Sequence, residues 1–324
     1  MPSTGLSPTF KSHVGIATET TYGTTVATAT VFLPVESFDE FEDDQGLVMD
    51  EASRQKASKL FGVYTGVQQG AVGYTFPYYN EIASRFWGGI VGADTIGSSS
   101  SITGWQHAIA LGDAPPSYTI FDFITGQAVE RQWVGAQMQS LNFKFERNAG
   151  KATIKPSWKS AAPSSGISEQ TPTYTSTPAM RGWEAVWSVG ASTKVTLLGI
   201  DLTLTREVNL VFAGNNSQRP TAAEVGPLDI TGKVSWYGST DGIYTDYRAN
   251  TSRELRLRMT DTLAGSSHSV LDIIMSDCRF TKVTPDRSGT FIRYDGEFRA
   301  VHNATDAGPI QVNFTVATSS SFST

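Results

Sequence analysis

The sequence predicts a mainly β protein built as two tandem barrel-like or sandwich-like domains, each with a short flanking helix, plus extended loops and terminal arms. Three observations predict it. Segments of period-two alternation recur along the chain, Leu141–Glu146 and Arg253–Met259 being the cleanest. One stretch, 77–91, carries clear helical spacing. The order strand, long loop, strand, helix, strand, polar hairpin occurs twice.

Composition narrows the class. The chain has 324 residues, of which 39% are hydrophobic, enough to build a core. Charged residues make up 17%, below the ~25% usual for globular proteins. Gly, Ser, Thr and Ala fill the gap, as in a sheet-rich protein with much surface committed to partners. The net charge of −6 argues against a chain that grips nucleic acid, which needs a basic face. It permits one that lets nucleic acid slide past. Cys278 is the single cysteine, so no intrachain disulfide forms, which suits a reducing compartment. The opening Met1–Gly5 lacks the charged and apolar regions of a signal peptide. No apolar run reaches the ~18 residues of a membrane span.

Residues 1–30 are small, polar and Thr-rich and read as an extended N-terminal arm. A first domain is expected over 31–160. Val31–Val35 opens it as a short strand. Residues 36–51 carry eight carboxylates and no Lys or Arg, then Arg54, Lys56 and Lys59 follow. The whole reads as a long, charged, exposed loop with room for a strand over part of it. Strand character returns over 67–76. Pro77 suits the first turn of the helix, and Tyr79, Ile82, Ala83, Phe86, Trp87 and Ile90 form its apolar face. Residues 93–104 read as a flexible loop. Strands are expected at 105–111, 117–124, 127–134, 137–146 and 150–159. Residues 161–180, rich in Ser, Thr and Pro, read as a linker. The second domain, 181–317, has strands at 198–205, 228–237, 253–259, 268–276, 278–284, 289–300 and 310–317. A short helix is expected at 242–250 and a turn over 284–289. Residues 318–324 form a C-terminal tail.

Nothing in the sequence assembles a catalytic or metal constellation. His13, His107, His268 and His302 lack metal-ligand spacing and nucleophile partners, and read as surface or strand-face residues. Gly88, Gly89 and Gly92 end a helix, the wrong end for phosphate. The acidic run lacks the spacing of a Ca²⁺ loop. The seven tryptophans read as core or subunit interface, with a sugar platform as the alternative.

Gly15–Thr24, followed by Phe32–Ser37, resembles the opening of siphophage major tail tube proteins, in which an "ETTYGT"-like arm leads into a strand reading roughly "FLPV". Asp201–Val208, Phe212–Gln218 and Ile230–Ser235 are similar to that family's strand, loop and following strand. The resemblance covers about a quarter of the chain directly, and its specificity lies in the order of the motifs. It implies a flattened β-barrel or sandwich with a flanking helix, rings that close sheet to sheet, and stacking through long loops and arms. It implies no cofactor and no enzyme activity. The implied partners are copies of this chain, the tape measure, terminator and distal tail proteins, and double-stranded DNA that passes without specific binding. The implied place is the virion tail, assembled in the host cytoplasm. A tail-tip, receptor-binding or carbohydrate-active β protein, or another ring-forming part such as a terminator or baseplate ring, is the alternative.

Many relatives of that kind carry one tube domain per chain in rings of six. Two domains here imply three chains per ring, with the domains related by about 60°. The loops 41–66 and 212–227 are expected to reach the next ring, through Asp43, Asp44, Asp50, Glu51, Arg54, Lys56, Asn215, Asn216 and Arg219. A tube that conducts DNA needs a wall that does not hold it. A net acidic lumen is therefore expected on the strand faces of 137–159 and 278–300, with Glu146, Asp295 and Glu297 as candidates.

Overall fold

A computed structural model of the chain describes residues 12–316 except 53, 56–57, 99–103, 125–129, 148–149, 176, 191, 194–196, 215, 239–241 and 261–269. The protein is mainly β, as its alternating segments require. The first half contains β1 (Ser12–Thr18), β2 (Val31–Leu33), β3 (Ser37–Asp44), β4 (Val48–Asp50), β5 (Gly62–Tyr64) and β6 (Gln69–Pro77). Helix α1 (Asn80–Val91), β7 (Gly92–Ser98), β8 (Trp105–Leu111), β9 (Tyr118–Ile124), β10 (Arg131–Glu146), β11 (Thr153–Ala161) and β12 (Ser164–Ser165) follow. The second half contains β13 (Ala185–Val189), β14 (Ser192–Thr193), β15 (Leu197–Val211), β16 (Ala222–Tyr237), α2 (Ile243–Ala249), β17 (Arg253–Thr260), β18 (Val270–Asp286), β19 (Arg293–Ala300) and β20 (Gln311–Val316).

Apart from the separate hairpin β4–β5, these strands join one barrel-like system in two layers. One layer is a run of eight antiparallel strands, β3–β6–β11–β10–β15–β16–β19–β18. Its first four strands and its last four follow the same pairing order. The other layer repeats as well: β2–β1–β9–β10–β12 in the first half, and β14–β13–β17–β18–β20 in the second. The long strands β10 and β18 belong to both layers. Each carries a bulge as it enters the eight-strand layer, at Gln139 between Met138 and Ser140, and at Thr281 between Phe280 and Lys282. A bulge bends a strand and raises its twist, which lets one strand turn a corner between layers.

Two hairpins break the correspondence. β4–β5 sits inside the first long loop. β7–β8 follows α1 and docks β8 on β20, so a first-half strand extends a second-half sheet.

The apolar faces meet in a main core that runs from Val14 to Val316, beside a smaller cluster of Ala17, Phe32, Phe121 and Phe123. Helix α1 buries Ile82, Ala83, Phe86, Trp87, Ile90 and Val91 within it, each side chain worth about 1.5–3 kcal/mol relative to exposure for the larger ones. Gly89 lets the helix lie close to β9, since a Cβ there would fall 2.6 Å from the Tyr118 hydroxyl. The α1 C-terminus faces Arg206 of β15, whose buried guanidinium donates to the Val91 and Gly112 carbonyls at 2.9 Å each. A cation at that end satisfies orphan carbonyls and complements the helix dipole. At the other end Asn80 Nδ2 donates to Thr315 O at 3.0 Å. The helix thus bridges both halves.

Several sequence readings are corrected. Residues 12–18 of the expected arm are β1, paired with β9 along its whole length. Val14 and Ile16 alternate into the core, a short signal that Thr-rich flanks obscure. Residues 1–11 and the tail 318–324 lie outside the described residues. Residues 36–51 hold β3 rather than one continuous loop, and 93–98 of the expected flexible loop belong to β7. Pro77 closes β6 instead of opening α1. The strands expected at 127–134 and 137–146 are one strand, β10, and those at 268–276 and 278–284 are one strand, β18. Bulges shift the side-chain alternation there, so an unbroken strand reads as two. The expected linker 161–180 contains the short strand β12, and most of its described residues are exposed or half-buried; Gln170 ties it to β1 by accepting at its carbonyl from His13 Nε2 at 2.7 Å, and Met180 is buried at its end.

One buried acid gives a pH-dependent expectation. Burial raises the Asp122 carboxyl above its ordinary value of 3.8, with Arg131 and His13 pulling the other way. The fold therefore favours the neutral form, and this group's contribution is lost as pH rises through its folded value. Asp122→Asn cannot ionise. It should raise the thermal midpoint at pH 7 by about 1–2 °C, a gain that shrinks toward pH 4 in thermal scans.

Candidate assembly surface

The eight-strand layer presents one face to the core and one to solvent. On β10 the core face holds Leu141, Phe143 and Phe145, and the solvent face Asn142, Lys144 and Glu146. Directly opposite residues in neighbouring strands share a face, so the pairings extend this solvent face across the layer. Lys144 stands opposite Asp201, Asp201 opposite Lys233, Lys233 opposite Glu297, and Glu297 opposite Lys282. The result is a row of alternating charge over five strands. The next row runs Glu146, Gly199, Ser235, Asp295, Thr284. Glu146, Asp295 and Glu297, far apart in sequence, therefore lie on one face.

Carboxylates outnumber basic groups on this face along the eight strands, and most of the basic groups reach one: Lys144–Glu146 at 2.8 Å, Lys155–Asp39 at 3.8 Å, Lys233–Glu297 at 3.8 Å, Arg279–Asp277 at 4.0 Å, Arg293–Asp295 at 3.0 Å and Arg299–Asp229 at 2.6 Å. A hydrogen bond from Lys144 to Glu146 raises the lysine pKa, and one from Arg293 to Asp295 does the same for the arginine. Exposed pairs like these add at most about 1 kcal/mol each. Their larger consequence is electrostatic, because paired cations leave a face with a negative balance.

The second feature is a pair of long loops, 45–68 between β3 and β6 and 212–221 between β15 and β16. The structure ties them together. Gln68 N–H donates to Gln218 O at 2.7 Å, and Gln218 Nε2 donates to the Thr65 hydroxyl at 2.8 Å. Asp50 pairs with Arg54, and Glu51 with Lys59 at 3.3 Å. Asn216 adopts a left-handed turn with φ 60°. Lys56 and Asn215 lie outside the described residues. Asp43 and Asp44 are corrected: they belong to β3, opposite Gly70 and Gln69, so the loop begins after them. Residues 222–225 of the second expected loop are likewise strand, paired with β15.

The charge-based reading missed the apolar content of the first loop. Half of the exposed large hydrophobic side chains among the described residues lie within 38–67, including Leu47, Val48, Met49, Leu60, Val63 and Tyr64 on or beside β4–β5. The signal was present as apolar residues interleaved with the acidic run. In the single chain these side chains, on an isolated two-stranded hairpin, stay open to solvent.

Among the described residues no cluster of three or more His, Cys, Asp or Glu could hold a metal. His13 is buried and stacked on Phe123, and His107 is buried against Asp94 at 2.9 Å and stacked on Phe314. These two are core histidines rather than surface ones; His302 is exposed, and His268 lies outside the described residues. Among the described residues no helix is long and apolar enough to cross a membrane.

A comparison with curated proteins finds no match. A family model described as phage tail tube protein matches residues 9–321, a span that takes in both four-strand units, both long loops and both helices. The chain therefore belongs to the phage tail tube protein family, and is a structural subunit of a virion's tail tube.

Proposed function

We propose that three copies of this chain form one ring of the tube, that the solvent face of the eight-strand layer lines its channel, and that the paired long loops reach the adjacent ring. Each chain acts as two tube domains, about 31–160 and 181–317, in tandem. The observation that carries the reading is the repeated order β3–β6–β11–β10 and β15–β16–β19–β18, joined edge to edge through β10 and β15. A junction that works inside the chain can recur between chains, and six such units close a ring with three copies.

The wall is then net acidic, with most cations paired, so it offers DNA few free contacts and little counterion release. The chain acts by shape and assembly, without catalysis or cofactor, as siphophage relatives of this kind do. It is assembled in the host cytoplasm, and its partners at the tube's ends and interior are terminator, distal tail and tape measure proteins. Electron microscopy of the purified, assembled protein tests this. Tubes whose rings average with three copies, and a calculated negative potential along the axis, are expected. Six chains per ring, or a continuous positive channel, would overturn the corresponding part.

A further inference from the structure

Resting on that reading, we infer the register of ring closure: the outer edge of β18 pairs antiparallel with the outer edge of β3 of the partner subunit, with Lys282 opposite Asp44 of the partner subunit and Thr284 opposite Glu42 of the partner subunit. Three observations converge on it.

The first is which edges are open. Among the described residues β3 pairs only with β6. β18 pairs with β17 up to Cys278, and beyond it only with β19. Its free edge therefore runs from Phe280 to Asp286. In the first half, the corresponding edge of β10 is covered by β9 up to Ala136 and then by β15 from Ser140 onward. β18 thus has β17 where β10 has β9, and nothing where β10 has β15.

The second is the register carried by the repeat. Aligning the bulge at Gln139 with that at Thr281 places Ser140 on Lys282 and Asn142 on Thr284. On the other side, Glu42 stands opposite Ala71 as Thr203 stands opposite Thr231, and Asp44 opposite Gln69 as Thr205 stands opposite Asp229. These equivalences hold because Ala71 faces Lys159 of β11 as Thr231 faces Arg299 of β19. Inside the chain Ser140 faces Thr205 and Asn142 faces Thr203. Transferring those pairs to the open edges gives Lys282 with Asp44 and Thr284 with Glu42.

The third is charge, which is independent of the repeat. The row Lys144, Asp201, Lys233, Glu297, Lys282 alternates in sign and ends on a cation at the free edge. Asp44 in the next position continues the alternation across the boundary. Opposite charges directly across strands are favourable and like charges unfavourable. The β3 edge carries Asp39, Glu40, Glu42, Asp43 and Asp44 without a cation, so two β3 edges repel each other. This selects head-to-tail pairing of unlike edges, the arrangement that closes rings, over a two-fold dimer.

A zero-length carbodiimide cross-linker on the full-length protein tests the register without mutation. A Lys282–Asp44 link, found by mass spectrometry in tubes and absent from unassembled chain, is expected, because the two strands lie at opposite ends of the layer. As a second measure, Thr284→Cys with Glu42→Cys should give a disulfide ladder in oxidised tubes. Thr284→Cys with Asp44→Cys should give at least about tenfold less, since a two-residue offset exceeds disulfide reach; the native Cys278 is buried and its thiol pKa is raised by burial, so it does not compete. A ladder ending at three chains supports both register and stoichiometry, and one continuing to six supports the register while removing the three-chain ring. Tubes that link at the offset pair, or at neither, overturn the register and leave the tube assignment intact. A chain that stays monomeric at every concentration overturns both.

Discussion

Removing residues 47–64 is expected to leave a soluble, folded chain that no longer forms tubes. The cut is set by geometry. Gly66 N–H donates to Gly46 O at 3.0 Å and to Gln45 O at 3.2 Å, so the two ends of the hairpin arm already meet. Joining Gly46 to Thr65 replaces the arm with a short turn. The β3–β6 pairing from Ser37 to Asp44 is untouched, and among the described residues no buried core residue is lost. The deletion removes Leu47, Val48, Met49, Leu60, Val63 and Tyr64, all exposed in the single chain. Burying such a surface against a neighbouring ring contributes on the order of several kcal/mol per chain at about 25 cal/mol per Å². Loss of only about 2.7 kcal/mol of it raises the critical concentration for assembly about a hundredfold. Sedimentation and electron microscopy should show no tubes at concentrations where the parent polymerises, with a thermal midpoint within a few degrees of the parent. Tubes of ordinary length from the deleted chain would remove the stacking role of this arm.

The contrast between the two long loops shows what the sequence made legible. β3 and β16 take residues from the expected bounds of each, but both were readable as loops too long for hairpin turns. Their contact with each other was not, because Gln68 and Gln218 are 150 residues apart and polar amides carry no periodic signature. The doubled element order was readable from the hairpins at Phe143 and Phe280. That β10 and β18 each serve two layers was not, since a bulge shifts the alternation and mimics a break. The three acidic candidates on β10 and β19 do share one face, because period-two alternation fixes a side chain's face once the register is known. What lay beyond reach was register itself, which depends on pairings between strands distant in the chain. The strand β1 was missed for a related reason: seven residues with two core-facing apolar side chains, Val14 and Ile16, are too short a signal against a Thr-rich background.

The segment after β1 supplies the largest expected loss of stability. Glu19 is only 5% exposed, and its carboxylate accepts four hydrogen bonds: from Gly23 N–H at 2.9 Å, and from the Ser117 hydroxyl, the Thr119 hydroxyl and Gly135 N–H at 2.8 Å each. One side chain thereby ties the turn after β1 to β9 and to β10. Every neighbour here donates, and the carboxylate accepts two bonds at each of its oxygens. The surroundings are built on the same point. Gly135 has φ 68°, and a Cβ there would fall 3.0 Å from the Tyr22 ring; burial first, and then Glu19, raise the Tyr22 hydroxyl pKa to about 12, so the phenol stays neutral beside the carboxylate. Glu19→Ala strands two buried amides and two hydroxyls. Hydroxyls can rotate toward other acceptors but backbone amides cannot, and removing one member of a buried charged network costs about 3–5 kcal/mol. That is a third or more of the ~5–15 kcal/mol by which a domain is stable. Glu19→Gln keeps the volume and one acceptor but turns its NH₂ toward donors, so its loss should be smaller, about 2–3 kcal/mol. Urea unfolding of the unassembled chains should rank parent above Gln above Ala, with the slope unchanged. An alanine variant within about 1 kcal/mol of the parent would show that water replaces the carboxylate and that the turn is held by other contacts.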